Sequence, residues 1–151
     1  MASSRDLKEL LPHVQVAAML FLQNCSTVGL TVLIYCTYRP REEQAMVYAS
    51  GRTIAGPILT WARPGYSWHE WRRAFDAVPL VSGKPIWHVD PNTIPLWQLM
   101  GDCGKRAGFE WAGDWSEEKR EFPHFQMRNG LTIAEVLKHG TALNTSRVGP
   151  G

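Results

Sequence analysis

The chain alternates between stretches with helical spacing of apolar residues and short β-branched runs. Leu7, Leu10, Leu11, Val14, Ala18, Phe21 and Leu22 recur every three or four positions, which marks one face of helical structure. Ser3 and Asp6 are placed to cap a short first helix. Pro12 suits the first turn of a second helix, where its missing N–H is no loss, and that helix should end near Gly29. LTVLIYCTY (Leu30 to Tyr38) reads as a buried strand. PREEQAMVYASG reads as a helix stopped by Gly51, and a loop rich in Gly and Pro runs on to Gly65. AFDAV (Ala74 to Val78) is a strand with Ala74, Asp76 and Val78 on one face and Phe75 and Ala77 on the other. A turn at Ser82–Gly83 leads into a connection through Pro85 and Pro91. Thr93 to Ala107 is helical, with Leu96, Leu99, Met100 and Cys103 on one side. FEWAGDW gives a strand and turn, HFQM (His124 to Met127) a short strand, and Thr132 with Glu135 caps a last helix ending at Gly140. The pattern lacks βαβ regularity, so the expected class is a small α+β domain over residues 1–140, followed by a loose tail at 141–151.

Composition narrows the classes. With 151 residues, 44% of them hydrophobic and 20% charged, one packed domain is expected and disorder is not. A net charge of +2 is too small to argue for nucleic acid. Cys25, Cys36 and Cys103 are odd in number and far apart, so free buried thiols are expected, with one Cys25–Cys36 bridge as the alternative. No run is long enough to span a bilayer. Val14 to Leu22 is apolar enough for a signal peptide, but the helical spacing and the acidic Asp6 and Glu9 argue against a leader. The expectation is a monomer made without a secretory signal and without membrane insertion.

The candidate chemistry centres on SWHEWRRAFDAVP, where His69 is followed seven positions later by Asp76 inside an apolar strand. A buried carboxylate costs several kcal/mol unless paired, hydrogen-bonded or metal-bound. Of the other histidines, His13 sits at a helix start among charges and is expected to be solvated. His139 sits at a helix C-terminus, where the dipole accounts for it, and His88 lies in a Pro-rich connection. His124 differs: it opens a strand in EFPHFQM behind Pro123 and between Phe122 and Phe125. Each candidate alone is more often structural. Together His69, Asp76 and His124 suit catalytic zinc, with three protein ligands and one open position for water. Such a site needs a base. Glu121 is separated from His124 by two residues, and Pro123 permits the bend that would turn both into one cavity; Glu117 and Glu118 are the alternatives. A cation for a developing oxyanion is also needed. Arg39 directly follows the first strand, although its spacing alone reads as a surface arginine.

Taken in order, CTYRPREEQ, YASGRTIAGPILT, SWHEWRRAFDAV, GFEWAGDW and EFPHF resemble the M15 zinc peptidases, and most closely the L-alanyl-D-glutamate endopeptidases of phage endolysins and sporulation. The resemblance covers most of Cys36 to Phe125, and it implies the D,D-peptidase fold with a mainly antiparallel sheet and flanking helices. It implies zinc at His69, Asp76 and His124, catalysis by Glu121 and Arg39, and substrate-binding or orienting roles for Ser67, Gln44 and Trp115. With seven tryptophans in the chain, core packing is the competing explanation of Trp115. One position departs: the family usually has a small residue, often glycine, three places after the first zinc histidine, and here that place is Arg72.

The expected activity is zinc-dependent cleavage of the L-Ala–D-Glu bond of peptidoglycan stem peptides. The expected setting is a phage endolysin made in the host cytoplasm and released to the wall. Two other readings stand beside it: a D,D-carboxypeptidase acting on terminal D-Ala, and a non-catalytic, metal-stabilised wall-binding module. An intact base beside the metal argues against the module.

Overall fold

A computed structural model describes residues 2–140; the tail expected at 141–151 lies outside the described residues. The elements are α1 (Pro12–Thr27), β1 (Thr31–Cys36), α2 (Arg41–Ala49), β2 (Ala74–Val81), β3 (Lys84–Pro85), α3 (Ile94–Arg106), β4 (Glu110–Trp111), β5 (His124–Gln126) and α4 (Ile133–His139). They form an α+β domain with one sheet in the order β1-β2-β5-β4, β3 pairing with β2, and every pairing antiparallel. No helix among the described residues is long and apolar enough to cross a membrane.

Two local expectations change. The first helix is only a 3-10 turn at Leu7–Glu9, and its cap is Asp6, which accepts from the Lys8 N–H; Ser4, not Ser3, accepts from the Asp6 N–H. Pro12 restarts the chain as α1 too soon for that turn to grow. The segment after Ser82–Gly83 is not a plain connection: both residues take positive φ (51° and 76°) and close a two-residue hairpin into β3. At the other end, Thr132 and Glu135 form the reciprocal capping box of α4.

The core lies under one face of the sheet. Phe21 of α1 meets Phe75 and Phe125, whose rings stack across the β2–β5 ladder with centroids 4.9 Å apart. α3 lies close over this aromatic layer because Gly101 and Gly104 leave room for it. A Cβ at Gly101 would run into the Trp111 ring, and one at Gly104 into Phe125. Burying such rings contributes roughly 1.5–3 kcal/mol each. All three cysteines are free and buried.

Candidate metal centre and active-site cleft

The site is built on the opposite face of the same ladder. In antiparallel register Phe75 stands across from Phe125, and one step along Asp76 stands across from His124. Strand alternation therefore sends the phenyl rings to the core and the next pair to the cleft. β1 contributes a bulge here: Ile34 pairs with Ala77 and Cys36 with Asp76, leaving Tyr35 as the extra residue. His69 arrives from the loop between α2 and β2. That loop is tied by the Glu70 carboxylate, which accepts from the N–H groups of Gly65 and Ser67, and by the Ser67 hydroxyl, which accepts from the His69 N–H at 3.3 Å.

Hydrogen bonding fixes which nitrogen of each imidazole is bare. His69 Nδ1 lies 2.8 Å from the Thr37 carbonyl, which can only accept, so Nδ1 carries the proton and Nε2 presents its lone pair. The Glu110 carboxylate, also only an acceptor as the anion, takes the amide N–H of Gln126 at 3.0 Å. Gln126 must then turn its Oε1 to His124 Nε2, 2.8 Å away, so Nε2 is the N–H and Nδ1 is bare. Both bare nitrogens, His69 Nε2 and His124 Nδ1, lie 3.1 Å from one oxygen, Oδ1 of Asp76. Two lone pairs and a carboxylate oxygen converging in a buried place repel one another unless a cation joins them. Protons can serve. Burial pulls the His69 pKa down, but the Asp76 charge and its hydrogen bond outweigh this and lift it to about 10. Burial would raise Asp76, and the two histidines instead hold it well below the ordinary carboxylate range.

A divalent metal fits the same donors. Metal–imidazole bonds of about 2.0–2.1 Å place adjacent donors of a tetrahedral ion roughly 3.3 Å apart, close to the 3.1 Å spacings here. The second-sphere oxygens of Thr37 and Gln126 are the partners that metal-bound histidines usually have. Cys36 is a rival donor, since Cys36, His69 and Asp76 each offer an atom within 4.8 Å of the others. Its sulfur, however, contacts His69 at Nδ1 (3.8 Å), the nitrogen already committed to Thr37, and it also accepts from the Arg39 guanidinium. That places it behind the imidazole rather than before the lone pair.

The other expected residues divide. Glu121 lines the cleft with His124, because the His124 N–H donates to the Glu121 carbonyl and closes a turn through Phe122 and Pro123. Burial raises its pKa, with the His124 and Arg39 charges pulling it back and Asp76 adding to the rise. Glu117 and Glu118 are exposed and do not line the cleft. Arg39 reaches within 3.6 Å of Asp76 Oδ2 with its side chain only 13% exposed, so it is no surface arginine. Its Nε is buried with no acceptor among the described residues. Gln44 does not line the cleft. It is fully buried behind Arg39, accepting from its Nη1 at 3.0 Å and donating to the Ala62 carbonyl. Trp115 lines the cleft instead of packing in the core, 5.8 Å from the His124 ring between centroids, with its indole N–H on Glu110. His13 is half-buried on Asn129, not solvated, and His88 is exposed beside Asp90. Arg72 takes φ 61°, a conformation that favours glycine. Its guanidinium offsets this strain by pairing with Glu9 and lying 3.9 Å over the Tyr38 ring.

The cleft has a volume of about 610 Å³ and is walled by Trp61, Tyr66, Trp115 and Lys119 around the centre. A second hollow of about 260 Å³, walled by Tyr35, Trp87 and Val89, meets it at Asp76, Glu121 and His124. The groove thus continues past the centre.

The family described as D-alanyl-D-alanine carboxypeptidase matches residues 61–127. The peptidoglycan L-alanyl-D-glutamate endopeptidase CwlK of Bacillus subtilis is 36% identical over 104 residues; the match takes in 66% of this chain and spans 62% of that relative's length. Among solved structures, the L-Ala D-Glu endopeptidase ChiX of Serratia marcescens superposes with a TM-score of 0.61 at 19% identity, covering 83% of this chain and 87% of that one. The vancomycin-resistance D,D-pentapeptidase VanY, solved with Zn(II), gives 0.53 at 16% identity, covering 85% and 78%. At these identities the two structures establish a shared fold.

Proposed function

We infer from the match over residues 61–127 and the 36% identity to CwlK that the chain is an M15 peptidase, and from that premise propose that it is a zinc-dependent peptidoglycan endopeptidase that cuts the L-Ala–D-Glu bond of stem peptides. The observation that carries the zinc assignment is the convergence of His69 Nε2 and His124 Nδ1 on one Asp76 oxygen, with the other nitrogen of each ring held by an acceptor. His69, Asp76 and His124 would hold the ion. Bound zinc would supply Lewis acidity, polarising the scissile carbonyl and making water nucleophilic near neutral pH.

The protein's own groups do the rest. Glu121, half-buried at the cleft wall and raised in pKa, takes the proton of the attacking water and hands it to the leaving amine. Arg39, braced by Gln44, faces the negative charge that develops on the carbonyl oxygen. Thr37 and Gln126 hold the two imidazoles in their ligating tautomers. Trp115 and Tyr66 wall the cleft where the substrate would lie.

An endopeptidase needs space on both sides of the scissile bond, whereas a carboxypeptidase needs only a short site beyond it. The two hollows that meet at the centre favour the endopeptidase. The similarity to CwlK points to the same bond. A setting in phage lysis, with the enzyme made in the host cytoplasm and released to the wall, accords with the endolysin-like motifs and is part of the proposal. Mass spectrometry of muropeptides after digestion tests the bond. New L-Ala carboxyl ends and D-Glu amino ends are expected. Release of terminal D-Ala alone would replace the reading by the carboxypeptidase, and no new ends would replace it by a binding module.

A further inference from the structure

The main cleft carries one charged side chain that this chemistry does not use. Of its carboxylate, imidazole, guanidinium and ammonium walls, Arg39, His69, Asp76, Glu121 and His124 belong to the centre, and Lys119 remains. Lys119 is exposed, and its ammonium sits 4.7 Å over the Trp61 ring, on the segment between Trp115 and Glu121. Trp61 is itself 46% exposed on the facing loop, so the pair stands at the cleft mouth with the ammonium still open to solvent. A cation that lines the same cleft as the centre, held there by an aromatic ring and paired with no carboxylate among the described residues, is suited to an anion on the substrate.

The substrate has such an anion. In stem peptides D-glutamate continues the chain through its γ-carboxyl, so its α-carboxylate stays free on the carbon next to the scissile nitrogen. We propose that Lys119 binds this α-carboxylate and makes the enzyme selective for a leaving residue of the form N–CH(R)–COO⁻. The inference rests on the endopeptidase reading above, but the same unit also occurs in a C-terminal D-Ala, so the two can fail separately. The two ends of the groove then differ in what they hold. The charged leaving residue lies in the cleft with Lys119, and the acyl side lies in the second hollow, beside Tyr35, Trp87 and Val89.

The test uses the zinc-loaded chain and two pairs of synthetic peptides. One pair contains L-Ala–γ-D-Glu with its α-carboxyl free or as the carboxamide; the other ends in D-Ala as the free acid or the carboxamide. Wild type should cut the glutamyl carboxylate about ten-fold or more faster than its carboxamide in kcat/KM, as charged hydrogen bonds allow. Lys119→Met should lose this preference by slowing only on the carboxylate, with the carboxamide rate unchanged. Lys119→Arg should keep it. A purely structural role for Lys119 would slow both peptides together and so overturn the proposal. So would a preference that survives in Lys119→Met, is absent in wild type, or disappears instead in Arg120→Met, whose guanidinium lies by the second hollow. Cleavage of the D-Ala pair alone, with a carboxylate preference that depends on Lys119, would retain Lys119 and remove the endopeptidase reading. No cleavage of any peptide would overturn both.

Discussion

The two faces of the β2–β5 ladder are one residue apart and follow different rules. On the inner face Phe75 and Phe125 stack in an aromatic layer with Phe21. On the outer face Asp76 and His124 form a polar cluster in which both imidazole nitrogens of His124 have assigned partners. The inner face is stabilised by area removed from water, and many residues there share the burden. The outer face is a cost to folding, offset only when a cation joins the carboxylate and the imidazoles. The backbone register of the ladder, which sets Asp76 opposite His124, holds the spacing of the candidate ligands, and the phenylalanines contribute stability from the other side. Damage to the two faces should therefore read out differently.

The largest contrast is expected at the ligands. Asp76→Ala and His124→Ala should lose zinc and all hydrolysis while keeping secondary structure by circular dichroism, whereas Cys36→Ala should keep its zinc. Loss of metal in Cys36→Ala with retention in His124→Ala would move the site behind His69. Next comes Phe125→Ala, which should cost about 3–5 kcal/mol of stability in denaturant unfolding, with zinc still bound below the transition. If it instead removed zinc from a fully folded protein, the division between the faces would not hold. Gln126→Ala removes the acceptor for His124 Nε2 and should weaken zinc affinity or activity by about 10–100-fold, with a small change in melting temperature. Smallest of all, Glu117→Gln and Glu118→Gln, which are exposed and off the cleft, should leave activity near wild type.

Much of this division is legible in the sequence. Period-two alternation in AFDAV is enough to separate Phe75 from Asp76, and α1, α3 and the α4 capping box follow from apolar spacing and cap chemistry. The same alternation, carried two residues past His124, leads to Gln126. The role of Arg72 is hidden because the chain rescues a glycine-type backbone position with partners as distant as Glu9, which no local pattern reports. Gln44 suggests a substrate contact in the sequence, but proximity to Arg39 along the chain does not tell a wall from a brace behind it. The number of tryptophans argues for the core at Trp115, yet the 3-10 turn at Ala112–Asp114 directs it to the cleft. Cys36 reads as an ordinary buried thiol because its approach to His69 spans a long loop.

The assignment of Glu121 as the base joins the outer face to its chemistry. Burial raises its pKa against the pull of His124. A base must be anionic to accept a proton, so the acid limb of the pH–activity profile should lie above the ordinary glutamate range. The most direct test is Glu121→Gln, measured for zinc content by elemental analysis and for peptidoglycan hydrolysis in the same preparation. The account predicts one zinc per chain, as in wild type, with the rate reduced about a hundred-fold to ten-thousand-fold. A zinc-loaded Glu121→Gln protein that cuts at the wild-type rate, or a wild-type chain that cuts fully after its metal is removed, would contradict it.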